Sequence, residues 1–426
     1  MTILSSKQAS NIEAWSLNEW LNHLSTLHPK NIEMGLERVA EVFKRLDISF
    51  SDQMVVTVAG TNGKGTTCAF LEQACLTAGR RVGVYSSPHL IHYTERVRIQ
   101  GQDAEEQAHC LAFQAVERAR GEIPLTYFEF GTLAGLKLVH DANVDVALLE
   151  VGLGGRLDAV NVVSPDIAVI TSIDLDHQDW LGDTKEQVAV EKAGIMRAGI
   201  PVVLGEPIKY NGLINAISRL NANAYWQHQD FDYHLGQNQF DWQNDQVSYT
   251  GLPSPHIPAQ NVSTGLQVIQ LLELHLNHSQ LTHIIENTRL PGRCQYIAQS
   301  PTVMVDVAHN PHATAYLLKQ IRMLSYNKLY LVVGMLKDKD IRASLKDFSV
   351  LDGHWMLGSL DVPRGASASD IKSVLGNAQK VLEFDSVIQA FEQAKLSAQE
   401  QDLIVVFGSF FTVSDILKLT NKGLSK

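Results

Sequence analysis

The run Val55-Val56-Thr57-Val58-Ala59 passes directly into Gly60-Thr61-Asn62-Gly63-Lys64-Gly65-Thr66 and then into a helical pattern carrying Cys68, Leu71 and Cys75. A β-branched strand feeding a glycine turn and a helix belongs to a parallel sheet covered by helices, which makes it the strongest single constraint on the fold. The turn departs twice from the G-x-x-x-x-G-K-[ST] spacing: Val58 stands where the first glycine is required, and Gly65 separates Lys64 from Thr66. Two readings follow from the residues: a phosphate cradle of altered spacing, or a bare strand-to-helix turn. Lys64 and Thr66 favour the cradle, because a turn needs neither an ammonium nor a hydroxyl. The helix N-terminus supplies unpaired N–H groups and the positive end of a dipole.

The same alternation recurs along the chain. Strands are predicted at 54–59, 82–86, 125–129, 144–151, 166–173 and 201–205, and helices near 64–78, 104–120, 131–141, 184–198 and 209–221. A first helix is read from Ile32, Leu36, Val39, Phe43 and Leu46. Residues 223–258 break the rhythm with short alternating aromatic runs, as in a small antiparallel appendage. Pro291-Gly292 punctuates the chain, and from Thr302 the alternation resumes. The expected architecture is α/β: a P-loop ATPase-like domain with a mostly parallel sheet over 1–290, a linker at 291–296, and a smaller Rossmann-like α/β domain over 297–426. At 426 residues, two domains are the ordinary outcome.

A net charge of −11 argues against a nucleic-acid surface and for small ligands held by local positive charge. The N-terminal residues show no apolar signal segment, and Leu403 to Val413 is about half a membrane span. Cys68, Cys75, Cys110 and Cys294 form no C-x-x-C pair, which fits a reducing compartment, so the expectation is a cytoplasmic protein without membrane or nucleic-acid partners.

In open parallel sheets, ligands gather at the carboxyl ends of strands. Ser86 and Ser87 close one predicted strand, although serines before Pro88 are also ordinary loop chemistry. Glu150 ends the apolar run Val144 to Leu149; a carboxylate there suits a metal or simply a surface strand end. The glycines of Gly152-Leu153-Gly154-Gly155 would let backbone approach a ligand. Asp174, Asp176 and His177 follow another strand. Asp183 and Glu186 read as the capping box of a helix on which Lys192 lies within an apolar stripe of Val188, Ala189, Ile195 and Met196. That lysine either snorkels to solvent or is a depressed-pKa amine able to form a carbamate with CO2. In the second domain, Asp306, His309, Asn310 and Ser409 follow strands, and Arg293 lies in the linker.

Taken in order, "GTNGKGTT", "YSSPHL", "YTERVRI", "LTYFEFGTLAG", "LEVGLGGRLDA", "TSIDLDHQDWLG", "EKAGI", "LPGR", "DVAHNP", "GMLKDKD", "PRGAS" and "FGSF" resemble the folylpolyglutamate synthase family of the Mur ligase superfamily, especially its bacterial bifunctional dihydrofolate synthase/folylpolyglutamate synthase branch. Mur ligases typically read G-T-N-G-K-T, so Gly65 points to the folate branch. The resemblance implies ATP phosphates on Gly60, Thr61, Asn62, Gly63, Lys64, Gly65 and Thr66, with Asn261 at adenine and Arg293 and Asp306 at phosphate and ribose. It implies one Mg²⁺ on Ser87, Glu150 and His177 and a second on carbamylated Lys192, with a monovalent cation as a further candidate cofactor. Lys64, Lys192, His177 and His309 are the expected catalytic residues. Thr126, Phe128 and Asp158 would hold the pterin, and His309 and Ser409 the incoming L-glutamate; relatives often carry His where this chain has Phe411. The implied reaction is ATP-dependent amide formation between L-glutamate and dihydropteroate or a reduced folate, by a monomer. A monofunctional folylpolyglutamate synthase is the nearest alternative, and a Mur-type ligase a more distant one. A nucleotide-dependent switch would leave Glu150, His177, Lys192 and the second domain unexplained.

Overall fold

The computed structural model describes residues 12–28, 33–376 and 380–424; the expected contribution of Ile32 to the first helix lies outside them. By its contacts the chain divides into two bodies. One comprises residues 1–175 and 181–289, and the other Asp176–Trp180 with Leu290–Lys426.

In the first body, β1 (Met54–Ala59), β2 (Val82–Tyr85), β3 (Val97–Ile99), β4 (Gln102–Asp103), β5 (Val146–Glu150), β6 (Ile167–Ile170), β7 (Pro201–Leu204) and β8 (Asn223–Trp226) form a sheet of order β4-β3-β2-β5-β1-β6-β7-β8. From β2 to β8 every pairing is parallel, and β3 and β4 extend that edge antiparallel. The parallel strands are apolar almost throughout because helices cover both faces. Val56, Val58, Val84, Leu148 and Val169 pack with Phe70, Leu71 and Leu266 on one side. Ala59, Ile170 and Val202 pack with Val188 and Leu213 on the other.

β9 (Phe231–Leu235), β10 (Gln239–Asn244) and β11 (Ser248–Pro253) make the antiparallel appendage. Its expected start is too early, because 223–226 pairs parallel with β7 as the last strand of the main sheet. In the second body, β12 (Gln295–Gln299), β13 (Thr302–Asp306), β14 (Leu329–Val333), β15 (Gly353–Gly358), β16 (Val381–Phe384) and β17 (Leu403–Phe407) are ordered β12-β13-β17-β14-β15-β16, with only β12 antiparallel.

Three local expectations are corrected. Residues 125–129 are not a strand: Thr126 caps a helix over Tyr127–Asp141, its hydroxyl accepting from the Glu129 amide while Glu129 Oε2 accepts from the Thr126 amide. A reciprocal cap overrides the strand-like alternation of Leu125 to Phe130. The helix bearing Lys192 spans Lys185–Ala193 and is capped by Thr184 with Gln187, not by Asp183 with Glu186; Glu186 instead accepts from the amides of Asn211 and Gly212. The expected first helix is shorter, Glu37–Arg45, and another, Leu17–Thr26, precedes it with a Ser16–Glu19 capping box.

Candidate functional site

Register collects the chemistry. β2, β5, β1 and β6 run parallel side by side, with Val58 opposite Glu150, Ala59 opposite Ile170 and Tyr85 opposite Leu149. The segments leaving their carboxyl ends therefore share one sheet edge: the Gly60–Thr66 loop, Ser86–Ser87, Glu150 and Thr171–Ser172. The loop is fastened to the end of β6. Thr61 N donates to the Ser172 carbonyl, Asn62 N to Ser172 Oγ (3.0 Å), and Thr171 Oγ1 to the Asn62 carbonyl (2.6 Å). A Cβ at position 60 would meet Thr171 Oγ1 at 1.8 Å. At Gly63, φ is +88° and a Cβ would meet Asn261 Oδ1 at 2.6 Å. The turn thus closes only with bare backbone, and the Lys64–Thr77 helix starts at Gly63 with no side-chain cap.

Lys64 Nζ donates to the carbonyls of Gly60 (2.8 Å) and Thr61 (3.4 Å), which folds the ammonium back over the loop. Thr66 Oγ1 donates to the Gly63 carbonyl (2.9 Å) and accepts from Asn261 Nδ2 (2.7 Å), so Asn261, distant in sequence, joins the loop. A glycine cradle with an ammonium and a hydroxyl at a helix N-terminus suits a polyphosphate.

Glu150 is 6 % exposed, and its Oε2 accepts from the Ser87 amide at 3.4 Å. A buried carboxylate beside a hydroxyl-bearing residue suits a hard cation such as Mg²⁺. Phe128 lies against Gly152, whose added Cβ would be 2.4 Å from the ring and 3.2 Å from Ser87 Oγ. Asp158 is buried, accepts from the amides of Leu153 (2.8 Å) and Val160 (2.9 Å), and caps the turn at Ala159–Val162. Burial pushes its carboxyl up to about 6 despite those bonds and the nearby charge of Lys64.

The neighbours at the glycines following Glu150 are protein: Phe128 at Gly152, Leu181 at Gly154 and the Lys192 helix at Gly155. A Cβ on Gly155 would stand 2.8 Å from the Glu191 carbonyl and 3.1 Å from Lys192 Cα. The absence of side chains here lets the Lys192 helix pack close. Lys192 itself is 2 % exposed, so its side chain does not reach solvent.

In the second body, β13 lies beside β17, with Asp306 opposite Phe407, and β17 lies beside β14. Their carboxyl ends present Asp306 through Asn310, and Ser409. Burial pushes the Asp306 carboxyl up, against the charge of Arg293 and hydrogen bonds from the Cys294 and Ala308 amides. The Phe410 ring lies 5.1 Å from Arg293 Cζ and 6.2 Å from the His309 ring. Ser409 Oγ is 2.9 Å from Thr412 Oγ1 and accepts from the Thr412 amide at 3.0 Å, at the start of the Phe410–Leu424 helix. His309 Nδ1 donates to the Val307 carbonyl (2.8 Å), leaving Nε2 turned to Asp176.

His177 belongs by its contacts to this second body, whereas Ser87 and Glu150 belong to the first. Its Nε2 is 3.3 Å from the Lys339 ammonium. Sequence reasoning missed Thr171, Ser172 and Lys339. The first two were legible only as hydroxyls ending a strand, and Lys339 only as one basic residue in "GMLKDKD". No helix among the described residues is long and apolar enough to cross a membrane.

Comparison with known proteins places two domain models on the chain: the Mur ligase middle domain over residues 58–204 and the Mur ligase glutamate ligase domain over 292–410. The dihydrofolate synthase/folylpolyglutamate synthase of Escherichia coli K12 is 43 % identical over 404 residues, covering 95 % of each chain. The structure of E. coli FolC in complex with DHPP and ADP superimposes with a TM-score of 0.93 at 43 % identity, covering 97 % of this chain and 99 % of the other. A bifunctional folylpolyglutamate synthase/dihydrofolate synthase with Mn, AMPPNP and L-glutamate bound gives a TM-score of 0.90 at 45 % identity, covering 96 % and 99 %.

Proposed function

The chain belongs to the dihydrofolate synthase/folylpolyglutamate synthase family, and from that premise we propose how its residues divide the work of an ATP-dependent ligase that joins L-glutamate to dihydropteroate and to reduced folates. The observation that carries the assignment is the sheet edge where Gly60–Thr66, Ser87 and Glu150 meet, with Val58 and Glu150 in register.

A carboxylate is too poor an electrophile for an amine, so its hydroxide-equivalent must become a leaving group. The acceptor carboxylate oxygen attacks the γ-phosphorus of ATP, the bond to ADP breaks, and an acyl phosphate forms. The amine of L-glutamate then attacks the acyl carbon, phosphate leaves, and the amine nitrogen loses its proton. Gly60 to Thr66 cradle the phosphates, and Lys64, released from the loop carbonyls, neutralises charge on the transferring group. Ser87, Glu150 and His177 would hold one Mg²⁺ and carbamylated Lys192 a second; bound there, Mg²⁺ supplies charge neutralisation at the phosphoryl oxygens. The burial of Lys192 supports an amine that reacts with CO2, and a monovalent cation completes the cofactor set.

Asn261 orients the nucleotide, and Arg293 and Asp306 meet phosphate and ribose. Phe128 stacks on the pterin while Asp158 and Thr126 offer oxygens to its N–H groups. His309 and Ser409 receive the glutamate; Phe411, two residues after Ser409, is 44 % exposed. The working division is an ATP-binding domain at 1–290, apart from residues 176–180, which group with the second body, a linker at 291–296 and a glutamate-binding domain at 297–426, in a cytoplasmic monomer without membrane or nucleic-acid partners. The test is glutamate-dependent ADP release with dihydropteroate and, separately, tetrahydrofolate. Activity with both is expected; activity with the folate alone would make the enzyme monofunctional, and activity with neither would overturn the assignment.

A further inference from the structure

Among the described residues of the second body, Asp176 is the carboxylate with the most side-chain partners. Its Oδ1 accepts from Lys339 Nζ at 2.6 Å and from the His177 amide at 2.8 Å. Its Oδ2 accepts from Asn310 Nδ2 at 3.2 Å and stands 3.6 Å from His309 Nε2. One side chain thereby ties together three segments: 176–180, 306–310 and the 335–340 turn. The Asp176 and Lys339 side chains are 11 % and 7 % exposed, so solvent cannot substitute for either partner.

The partners have their remaining valences fixed as well. Asn310 Oδ1 caps the Pro311–Arg322 helix through the Ala313 amide (3.0 Å), which sets the amide orientation and aims Nδ2 at Asp176. His309 Nδ1 is committed to the Val307 carbonyl, so its ring turns about neither bond freely. His177 adopts a left-handed backbone at φ +51°, a conformation a β-carbon resists unless its surroundings impose it. Lys339 holds its side chain and Asp176 accepts from its amide.

We propose that Asp176 and Lys339 form a positioning pair that locks the 176–180 segment to the His309–Asn310 turn and so holds His309 where the incoming L-glutamate binds. The proposal rests on the reading of His309 as a glutamate-binding residue. Neither partner touches the reacting atoms; both act through the histidines they hold.

The full-length enzyme with Asp176→Asn tests it, because asparagine keeps the shape but turns an N–H donor toward Asn310 and His309. Hydrogen exchange should accelerate in peptides spanning 174–181 and 307–314. The KM for L-glutamate should rise by roughly 10- to 100-fold, with the KM for dihydropteroate within about twofold. Lys339→Met should reproduce both effects, Lys339→Arg should restore most of the exchange protection, and the double variant Asp176→Asn/Lys339→Met should be no worse than Asp176→Asn. Unchanged exchange in both peptides overturns the lock. His309→Ala raising the glutamate KM while Asp176→Asn leaves it unaltered overturns the positioning role but keeps the glutamate reading. His309→Ala without effect on glutamate KM overturns that reading, and the exchange result alone then decides whether the lock exists.

Discussion

The carboxyl edges of the two parallel sheets use the same topology in opposite ways. In the first body the edge is made receptive by leaving things out: glycine at 60 and 63, no side-chain cap on the Lys64 helix, and a lysine whose ammonium donates to its own loop carbonyls. In the second body the edge is filled with side chains that bind one another. Asn310 caps one helix, Ser409 opens another, and Asp306 accepts from two amides. A triphosphate needs many N–H donors around a large anion, which open backbone supplies; a small amino acid needs a few fixed polar groups, which capped turns supply. The titration of the acids divides likewise. Asp158 is pushed up to about 6 by burial, whereas burial of Asp176 is outweighed by the His309 hydrogen bond and the charges of Lys339 and His177, which hold it well below the usual carboxylate range.

Several substitutions would break or sharpen that contrast. The largest effect is expected for Lys64→Met: glutamate-dependent ADP release should fall by about 10³-fold, as for loss of one preorganised charge at a phosphoryl centre, with unfolding by urea unchanged because only loop carbonyls lose a donor. A Lys64→Met enzyme that retains its kcat would remove the first edge from the chemistry. Next comes pH. A raised folded pKa means the folded state binds the extra proton, so Asp158 contributes stability below about pH 4 that is lost as pH rises through about 6, amounting to roughly 3 kcal/mol. Asp176 has the opposite sign: its contribution is present above about pH 4 and lost as pH falls below that. Urea midpoints from pH 4 to 7 should therefore fall less steeply in Asp158→Asn than in the parent, and equal slopes would contradict the contrast. Gly63→Ala should cost about 1–3 kcal/mol of stability through its positive φ and raise the KM for ATP; adding Asn261→Ala should recover the steric part alone. The smallest effect belongs to Ser409→Ala, which should lose about 1 kcal/mol by removing a helix cap, measured by thermal unfolding, while a raised KM for L-glutamate would report its second use.

Much of this was legible because strand, glycine turn and helix are local signals. The stretch from Val55 through Thr66 specifies its own conformation, and Glu150 announces itself by ending an apolar strand. The 125–129 segment misleads because Leu125, Tyr127 and Phe128 have strand-like side chains, and only the Thr126–Glu129 cap reveals a helix. The Asp183 cap fails for a similar reason: several polar residues precede the Lys192 helix, and tertiary bonding of Glu186 to the Asn211 turn decides among them. Asn261 beside Thr66, and Asp176 with Lys339, were illegible because each joins residues more than a hundred positions apart. Packing of the Ala259–Leu271 helix against the Lys64–Thr77 helix brings the first pair together; no spacing rule in the sequence encodes it.

The central claim is that the first edge phosphorylates the acceptor carboxylate before the amine arrives. Dihydropteroate labelled with ¹⁸O in its carboxylate, turned over with ATP and L-glutamate, tests this in one step. The account predicts inorganic phosphate carrying one ¹⁸O for each amide bond formed. Phosphate released without the label would show that the carboxylate oxygen never reached phosphorus, and would contradict it.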